Sequence, residues 1–512
     1  MPHHTGTLGI DALFQYTGSG VQLFSGTVFY IVLVRFFSTA QVGAVAVFVA
    51  IVGLFNLLFS FGLGTAVQHF TSYHLGRGDM ASAKHSITRI LTLGFLLSFA
   101  GLASMVALAP YLSVLFMHTA YYTELIRLLS VVLVGNILFG ILNGASLGLQ
   151  LFRTSGIMNM VIWSAYYIIA FVLALLGHSL TDIVAGWGVG IFTGVLVYLR
   201  ILIKFLRSSD VSYPVSRLTP SLIFQYSVPV LFSSVISYGA TYADRFIVAG
   251  LMSLSALGIY NFTLLVATSM GFLVSPLNNI LLPKFSEFYG EGNLENVRER
   301  SLLATKVITG AYVPAALGVA VLSNPIMTLL AGRAYDQGAD ALTIIMVVGA
   351  LFVSTNVMTQ IIAAIRKTRV FLYSSVGSLL SNLMISIFLI PRFGMVGAAT
   401  GFSSVYAVTF FVLYYFTRRT RMFRLEWKST LKIWASSILM ALAVLGVEMH
   451  TGSRVDMLPL YILLGAAIYV ILFRLMRAMS PEDASVLYVQ FPKGSGAVRR
   501  ILMLLVSGFR AQ

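Results

Sequence analysis

The sequence predicts an all-α polytopic membrane protein that crosses the bilayer about fourteen times. Three observations support this fold class: a hydrophobic fraction of 58%, a charged fraction of only 10% and a mean hydropathy of +0.90. A soluble domain needs roughly 25% charged residues to cover its surface. Since this chain of 512 residues cannot build such a surface, its helices must face lipid or each other. The composition therefore disfavours an enzyme with a water-soluble catalytic domain.

Fourteen runs of mainly apolar residues are long enough to be spans. A helix crosses the hydrocarbon core with about 20 such residues. Bounded by charges, Pro or Gly clusters, the runs occupy residues 10–35, 41–70, 87–112, 124–148, 156–177, 182–203, 221–249, 255–282, 302–329, 339–363, 370–390, 394–416, 430–449 and 455–474. The connections are short, so no loop can hold a folded domain.

The distribution of Lys and Arg predicts the orientation, because cytoplasmic loops carry the excess of these residues. With the N-terminus inside, 27 of the 33 bases fall on the cytoplasmic side. The external bases are Arg35, Arg127, Arg333, Arg392 and Arg454, and Arg245 lies within a span. We therefore expect a multi-pass protein of the cell (cytoplasmic) membrane with both termini cytoplasmic. The net charge of +16 then reflects topology and contact with anionic lipids rather than nucleic-acid binding.

A weak internal repeat relates the two halves of the chain at an offset near 215 residues. Gly76-Arg77-Gly78-Asp79 matches Gly290-Glu291-Gly292-Asn293, and Arg153-Thr154 matches Lys367-Thr368. The predicted domains are a six-helix repeat (1–206), a cytoplasmic linker (207–220), a second six-helix repeat (221–417), two extra transmembrane helices (430–475) and a cytoplasmic amphipathic tail (476–512). Six spans are an even number, so both copies insert in the same direction as two parallel bundles. Substrate sites of such transporters lie between the repeats.

Polar side chains inside the spans identify candidate substrate contacts, because in a bilayer they face either a neighbouring helix or a wet cavity. They form stripes at helical spacing on the first, second and seventh spans. We assign substrate binding to Arg245, Asp244, Asn56, Gln22, Thr241, Asn261, Asn143 and Asn356. Such a lining, rich in amides and hydroxyls, can hydrogen-bond sugar hydroxyls. Taken singly, each residue is better explained by bonding between helices, whereas the stripes on spans one and seven together favour a wet lumen.

Asp244 and Arg245 are the most specific pair in these stripes. The arginine guanidinium is a planar fork suited to phosphate oxygens. In the functional interpretation Arg245 holds a lipid-linked phosphate, and Asp244 is the acid that tunes Arg245 or couples transport. In the structural interpretation both lie near the outer end of the span and pair with neighbouring helices.

No catalytic or cofactor motif accompanies these residues. The chain has no cysteine, no Walker-type glycine loop and no His-x-x-x-His spacing with a third ligand. We therefore expect neither an enzyme nor a protein with a bound metal or cofactor. The sequence leaves the identity of a coupling ion open.

The span order and several short stretches resemble a known family. These stretches are Gly26-Thr27-Val28-Phe29-Tyr30, Gly62-Leu63-Gly64-Thr65-Ala66, Asp244-Arg245-Phe246-Ile247-Val248-Ala249-Gly250, Pro283-Lys284-Phe285-Ser286 and Pro391-Arg392-Phe393-Gly394. The chain resembles the polysaccharide transport (O-antigen/oligosaccharide flippase) family of the multidrug/oligosaccharidyl-lipid/polysaccharide exporter superfamily, over roughly residues 8–475.

The resemblance implies a membrane flippase that moves a polyprenyl-linked oligosaccharide from the inner to the outer leaflet by alternating access. Cationic residues of such proteins hold the diphosphate, and here only Arg245 is a clear base within a span. The implied partners are the lipid-linked oligosaccharide and membrane lipids, with no nucleic acid; a glycan polymerase or glycosyltransferase partner stays open. The alternatives are an ion-coupled multidrug or metabolite exporter, for which Asp11 and Asp244 are the candidate carboxylates, and a scaffold or polymerase subunit without a cavity.

Overall fold

The computed structural model describes residues 8–207, 219–420, 422–480 and 483, and all of their regular secondary structure is helical. The α-helices are α1 (Leu8–Phe36), α2 (Thr39–Ser60), α3 (Leu63–Gly76), α4 (Met80–Met117), α5 (Thr123–Gly148), α6 (Phe152–Gly177), α7 (Leu180–Arg207), α8 (Pro220–Leu251), α9 (Leu254–Ser269), α10 (Ser275–Gly290), α11 (Leu294–Val321), α12 (Ser323–Ala331), α13 (Ala339–Leu351), α14 (Thr355–Ala364), α15 (Arg369–Phe393), α16 (Met395–Thr420), α17 (Trp427–Thr451) and α18 (Leu458–Leu475).

Thirteen helices in these ranges are long and apolar enough to cross a membrane. A fourteenth span results if the pair Arg333–Leu351 and Thr355–Ala364, bent by 51°, counts as one. The prediction of an all-α polytopic protein with about fourteen spans is therefore confirmed. The predicted boundaries of the unbroken spans mostly lie inside the observed helices, because a helix continues past the apolar run into its polar ends.

Four runs predicted as continuous spans are broken, and that part of the prediction was wrong. The run 41–70 breaks after α2, where Phe61 and Gly62 have φ of 52° and 69°. The left-handed conformation ends a helix, and glycine adopts it without strain. Hydropathy does not detect this break, because the residues on both sides of it are apolar.

The other three breaks have related causes. The run 255–282 passes through a short 3-10 turn (Met270–Leu273) before α10, which has a proline in its first turn. The run 302–329 breaks at Leu322, just before the Pro325 of α12. A proline lacks the backbone N–H that would continue the preceding helix. The run 339–363 bends at residues 352–354, where the Asn356 amide donates to the carbonyl of Val353 at 3.0 Å.

The chain divides into two compact units, unit 1 (Met1–Gly258) and unit 2 (Ile259–Gln512). The division falls within α9 rather than at the predicted linker, because α8 packs against α2, α3 and α4. The predicted repeats are defined by sequence order and not by packing, so their boundaries stay a prediction. Most of the linker (208–218) lies outside the described residues.

The same capped turn occurs twice, 214 residues apart. In unit 1 the Gly78 N–H donates to the carbonyl of Leu75, and the Asp79 N–H donates to the carbonyl of His74. In unit 2 the Gly292 N–H donates to the carbonyl of Tyr289, and the Asn293 N–H donates to the carbonyl of Phe288. Gly78 and Gly292 have φ of 73° and 74°. The next helix is then capped by Asp79, which accepts from the Ser82 N–H, or by Asn293, which accepts from the Asn296 N–H.

A second pair of matching turns follows α5 and α14. The backbone N–H of Gln150 (φ 61°) donates to the carbonyl of Leu147. In the same geometry, the backbone N–H of Arg366 (φ 57°) donates to the carbonyl of Ala363. These turns are 216 residues apart. The offset makes Arg153 the counterpart of Arg369, two residues away from the predicted match with Lys367. Both turns support the proposed repeat.

A close helix crossing within unit 1 depends on two glycines. A Cβ added at Gly43 would overlap the carbonyl oxygen of Leu254, and one added at Gly258 would overlap that of Thr39. Both glycines lie five residues after a serine cap, since Ser38 accepts from the Gln41 N–H and Ser253 from the Ala256 N–H. Small residues at helix contacts let backbones approach closely in membranes. The start of α2 and the start of α9 therefore cross at van der Waals distance.

In unit 2 a buried cation joins three parts of the chain. The Lys306 side chain on α11 is only 8% exposed, and its Nζ lies 2.5 Å from Glu426 Oε2 and 2.8 Å from Asp483 Oδ2. A buried charge is costly unless it is paired. Ser480 and Asp483 also bond each other reciprocally: the Ser480 N–H donates to Asp483 Oδ2, and the Asp483 N–H donates to Ser480 Oγ. The rest of the predicted tail lies outside the described residues.

Candidate functional site

A polar cleft of about 370 Å³ lies beside α8 in unit 1. Its lining residues are Leu57, Ser233, Ser234, Ser237, Tyr238, Thr241 and Tyr242. The α8 members recur at steps of three and four, which places them on one face of the helix. Pro229 lies upstream in the same helix, and Ser233 Oγ donates to its carbonyl at 3.0 Å.

The hydroxyl of Thr241 donates its hydrogen within the helix and can still accept. Thr241 Oγ1 donates to the carbonyl of Ser237 at 2.9 Å, one turn back along the helix. A hydroxyl has two lone pairs besides its single hydrogen. Thr241 is exposed, so its lone pairs can accept a hydrogen bond from a bound molecule. Such an acceptor suits a ligand that carries hydroxyl donors.

Two tyrosines and Arg245 form a stacked ladder along the same face. The Tyr238 and Tyr242 ring centroids are 4.4 Å apart with planes inclined by 15°. Arg245 continues the stack, with Cζ 4.3 Å from the Tyr242 centroid. The ladder presents an aromatic surface that ends in a cation, and its spacing of four and three residues follows the helix period.

The Tyr238 end of the ladder is hydrogen-bonded to α2. The Tyr238 hydroxyl donates to the carbonyl of Ala50 at 2.8 Å. Gly53 makes this contact feasible, because a Cβ there would lie 2.5 Å from the Tyr238 hydroxyl. Sequence reasoning missed Tyr238, Tyr242 and Gly53. The available signal was the tyrosine pair at i and i+4 with arginine three residues further on.

Arg245 retains an unused donor. Its Nε is buried, and no described residue accepts a hydrogen bond from it. A buried polar atom without a partner costs about 1–3 kcal/mol, and more when it is charged. Arg245 lies within two turns of the end of α8, where a charge costs less than the ~2.5–3.5 kcal/mol of the span centre. An anion at this position would satisfy the guanidinium.

Asp244 has different surroundings from Arg245. Its side chain is fully buried, at 0% exposure, whereas Arg245 is half-buried. Adjacent helical residues point about 100° apart, so the two side chains face different neighbours. Neither residue is among those that line the cleft, but Arg245 contacts the ring of Tyr242, which does line it.

The remaining candidates divide into those near the cleft and those that join helices. Asn56, half-buried on α2 beside Leu57, has an Oδ1 that accepts no hydrogen bond from any described residue. Gln22 is half-buried on α1, and Asn261 is half-buried on α9 in unit 2. Neither of these two residues lines the cleft.

Asn143 and Asn356 lie in contacts between helices. Asn143 Oδ1 accepts from Ser155 Oγ at 2.6 Å, and also from Asn159 at 3.4 Å and Tyr198 at 3.5 Å, which links α5 with α6 and α7. Asn356 Oδ1 accepts from Asn278 Nδ2 at 3.3 Å, which links α14 with α10. The structure therefore brings Thr241, Arg245 and Asn56 to the α2 and α8 side of unit 1.

Unit 2 contains a cavity of the opposite character. A groove of about 480 Å³ lies between α11, α17 and α18. Small residues open it, among them Gly310, Gly318 and Gly465, and its walls are almost wholly apolar. One polar contact crosses its edge, where the Tyr469 hydroxyl donates to the carbonyl of Gly310 at 2.7 Å. No group of three His, Asp or Glu side chains in the described ranges could hold a metal ion.

Comparison with known structures shows which proteins have a similar fold. The chain is 14% identical to the lipid II flippase MurJ in an inward closed conformation, with a TM-score of 0.72 over 90% of this chain and 97% of that one. It is 14% identical to a multidrug resistance MATE family transporter of the MOP superfamily in an inward-facing conformation, with a TM-score of 0.65 over 78% of this chain and 94% of that one. A MOP superfamily transporter from Pyrococcus furiosus gives 13% identity and a TM-score of 0.56, over 81% and 94% of the two chains.

Sequence comparisons identify the family. The chain is 26% identical over 201 residues to the capsular polysaccharide biosynthesis protein CapF of Staphylococcus aureus. This match spans 38% of the chain and about half the length of that relative. The family described as polysaccharide biosynthesis protein matches residues 32–340, more than half of the chain. The chain therefore belongs to the polysaccharide biosynthesis protein family, with the fold of the MOP superfamily transporters.

Proposed function

We propose that this protein is a flippase that moves a polyprenyl-linked oligosaccharide from the inner to the outer leaflet by alternating access. The observation that carries the proposal is the ladder Tyr238–Tyr242–Arg245 beside a row of hydroxyls. A sugar diphosphate has the complementary chemistry: hydroxyls, apolar ring faces and a concentrated negative charge. Membership of a polysaccharide biosynthesis family supports the glycan as cargo.

Each part of the site has a role in this mechanism. The sugar hydroxyls donate to Thr241 and its serine neighbours, and the faces of Tyr238 and Tyr242 pack against sugar rings. The guanidinium of Arg245 binds a phosphate oxygen through Nε and a terminal nitrogen, in the bidentate geometry that arginine favours. Asn56 supplies a further acceptor from α2.

The carrier lipid stays in hydrocarbon throughout the cycle. The apolar groove of unit 2 is a suitable surface for its chain, because it is open and has almost no polar atoms to desolvate. Burial of apolar chain against such a wall contributes about 0.8 kcal/mol per methylene if the chain leaves water, and far less if it leaves lipid. The groove therefore guides the chain rather than setting affinity.

The ion-coupled exporter is less well supported by the site. An exporter of small cations needs carboxylates at the surface of its cavity. Of the two predicted carboxylates, Asp244 is fully buried and does not line the cleft, and the side chain of Asp11 lies outside the described part of the structure. A cation, Arg245, instead stacks on Tyr242, which lines the cleft. This arrangement favours an anionic cargo over a cationic one.

Arg245 provides the test. The wild type, Arg245→Ala and Arg245→Lys would be reconstituted in vesicles with a fluorescent polyprenyl diphosphate N-acetylglucosamine, and the initial flipping rate measured. A hydrogen bond to a charged group contributes about 1.5–3 kcal/mol, so the Ala variant should lose about tenfold or more in rate. The Lys variant, which keeps the charge but not the fork, should fall between the two.

The control is Arg392→Ala, an exposed arginine at the end of α15 that belongs to neither cavity. It should flip at the wild-type rate. Equal rates for Arg245→Ala and the wild type, at equal reconstituted amounts, would remove Arg245 from the site and contradict the proposal.

A further inference from the structure

A second cleft, of about 450 Å³, lies at the end of α16 and is lined by aromatic and basic side chains. Its lining residues are Tyr414, Tyr415, Arg418 and Arg419. Arg419 lies over Tyr415, with Cζ 4.4 Å from the ring centroid. Tyr414 is held in place by Phe410, whose ring stacks on it at 5.7 Å, and by Phe423 at 6.4 Å. The cleft therefore has fixed walls and two exposed guanidinium groups.

The hairpin of α15 and α16 brings further bases to the same end. Ser381 bonds Ser404 at 3.0 Å, and the Tyr373 and Phe416 rings are 6.1 Å apart, so the two helices run antiparallel in a fixed register. In that register Arg369, at the start of α15, is level with the last turn of α16. The turn before α15 and the segment after α16 add exposed bases, namely Arg366, Lys367 and Arg424.

This basic cleft has no acidic partner among the residues that the structure describes. None of its bases takes part in any of the salt bridges of those ranges. The acid that follows α16 in sequence, Glu426, is bound to Lys306. The positive charge of the cleft is therefore available to an external anion.

Aromatic residues mark the level of the cleft in the membrane. Trp427 is 66% exposed and Tyr415 is 51% exposed. Exposed Trp and Tyr concentrate at the headgroup level of the bilayer. The distribution of bases predicts that this end of α16 faces the cytoplasm, where the leaflet carries anionic lipids.

We propose that the basic cleft of α16 binds the phosphate group of a membrane lipid in the inner leaflet. Arg418 and Arg419 supply the guanidinium forks, and the tyrosine hydroxyls supply additional donors. The lipid is either an anionic phospholipid or a polyprenyl diphosphate, which share this phosphate chemistry. The inference does not depend on the proposed transport, because a phospholipid alone would occupy the cleft.

The test measures lipid binding by the full chain in nanodiscs of phosphatidylcholine. In one arm the probe is fluorescent short-chain phosphatidylglycerol; in the other it is a fluorescent short-chain polyprenyl diphosphate. Each juxtamembrane base contributes about 1 kcal/mol to attraction of an anionic lipid. The pair Arg418→Gln with Arg419→Gln should therefore bind at least one probe about 10- to 30-fold more weakly than the wild type. The arm that weakens identifies the source of the phosphate.

Two controls distinguish a site from general charge. Arg392→Gln lies at the other end of the same hairpin and should bind both probes like the wild type. The pair Arg418→Lys with Arg419→Lys keeps the charge, and so the membrane orientation, but loses the forks; it should bind more weakly than the wild type. Binding within twofold of the wild type by the Gln pair in both arms would overturn the proposal, as would undiminished binding by the Lys pair.

Discussion

Unit 1 (Met1–Gly258) and unit 2 (Ile259–Gln512) contain the same capped turn, at Gly78 and at Gly292, yet their cavities have opposite linings. The cleft of unit 1 presents hydroxyls and stacked tyrosines that end in Arg245. The groove of unit 2 is opened by glycines and is almost wholly apolar. Turns set the paths of the helices, whereas the residues between the turns set what a cavity can bind.

In the proposed function, this difference corresponds to the two parts of a lipid-linked sugar. A headgroup needs hydrogen-bond acceptors and a cation, and a prenyl chain needs an open apolar surface. In the proposed function the cleft receives the headgroup and the groove receives the chain. The following predictions test whether each lining has the role assigned to it.

The largest effect is expected at the glycine crossing in unit 1. In Gly43→Ala the added methyl would overlap the backbone of Leu254, which cannot rotate away as a side chain could. Overpacking of this kind costs about 1–3 kcal/mol or more. Thermal unfolding in detergent should show a clearly lowered midpoint and a lower yield of folded protein. Gly250→Ala on α8, where nothing lies within 4 Å, is the matched control and should unfold like the wild type.

The next effect concerns the ladder. In Tyr242→Leu the ring that stacks on both Tyr238 and Arg245 is lost, so the guanidinium is no longer held over the cleft. Cation–π contacts contribute about 0.5–2 kcal/mol, which predicts a flipping rate about 2- to 30-fold lower. Tyr238→Phe keeps the stack and loses only the bond to Ala50, and it should retain more activity. Equal rates for Tyr242→Leu and the wild type would contradict a role for the stack.

Filling the groove of unit 2 should have a smaller and chain-dependent effect. A leucine at Gly318 has space, since nothing lies within 4 Å, and would occupy the groove between α11 and α18. Gly318→Leu should slow flipping of a long-chain polyprenyl substrate several-fold, by the order of 1 kcal/mol of lost contact, and leave a short-chain one unchanged. Gly446→Leu, also with open space but outside the groove, is the control. An equal loss for both chain lengths would mean that the groove does not receive the lipid chain.

The smallest effect distinguishes the twin turns. Hydrogen bonds from Ser82, through its side chain and its backbone N–H, lower the pKa of Asp79 below its usual value of 3.8. The charged cap therefore adds stability above that pH and loses it as the pH falls through the lowered pKa. Unit 2 has the non-titrating cap Asn293 at the same position. Replacing either cap by Ala should cost about 1 kcal/mol at pH 7.

The two caps should differ in how much thermal stability they lose in acid. On going from pH 7 to pH 3, Asp79→Asn should lose less thermal stability than the wild type, because its cap no longer titrates. Asn293→Asp should acquire the acid sensitivity that the wild-type turn of unit 2 does not have. The same acid-dependent loss in the wild type and in Asp79→Asn would exclude Asp79 as the titrating cap.

The sequence predicted the spans well, because hydropathy over some 20 residues reports burial in lipid directly. It missed the breaks at Phe61 and at residues 352–354, which depend on local backbone geometry inside apolar runs. Of the residues predicted from polar stripes, Arg245, Thr241 and Asn56 lie on the α2 and α8 side of unit 1, and their role in binding stays a prediction. Tyr238 and Tyr242 were missed because a tyrosine in a span is usually apolar packing. Asn143 and Asn356 were predicted to contact substrate, but they form hydrogen bonds between helices. The sequence does not separate these two roles, because a polar residue that joins helices gives the same stripe as one that faces a cavity.

The most direct measurement of the central claim is the chemical accessibility of Thr241. Because the native chain has no cysteine, Thr241→Cys provides a single thiol in the cleft, and Glu291→Cys provides an exposed thiol in the turn after α10. A membrane-impermeant maleimide should modify Thr241→Cys, and a soluble short-chain polyprenyl diphosphate sugar should slow that reaction without affecting Glu291→Cys. A thiol at position 241 that does not react, or that reacts at the same rate with and without the sugar diphosphate, would contradict a headgroup site in this cleft.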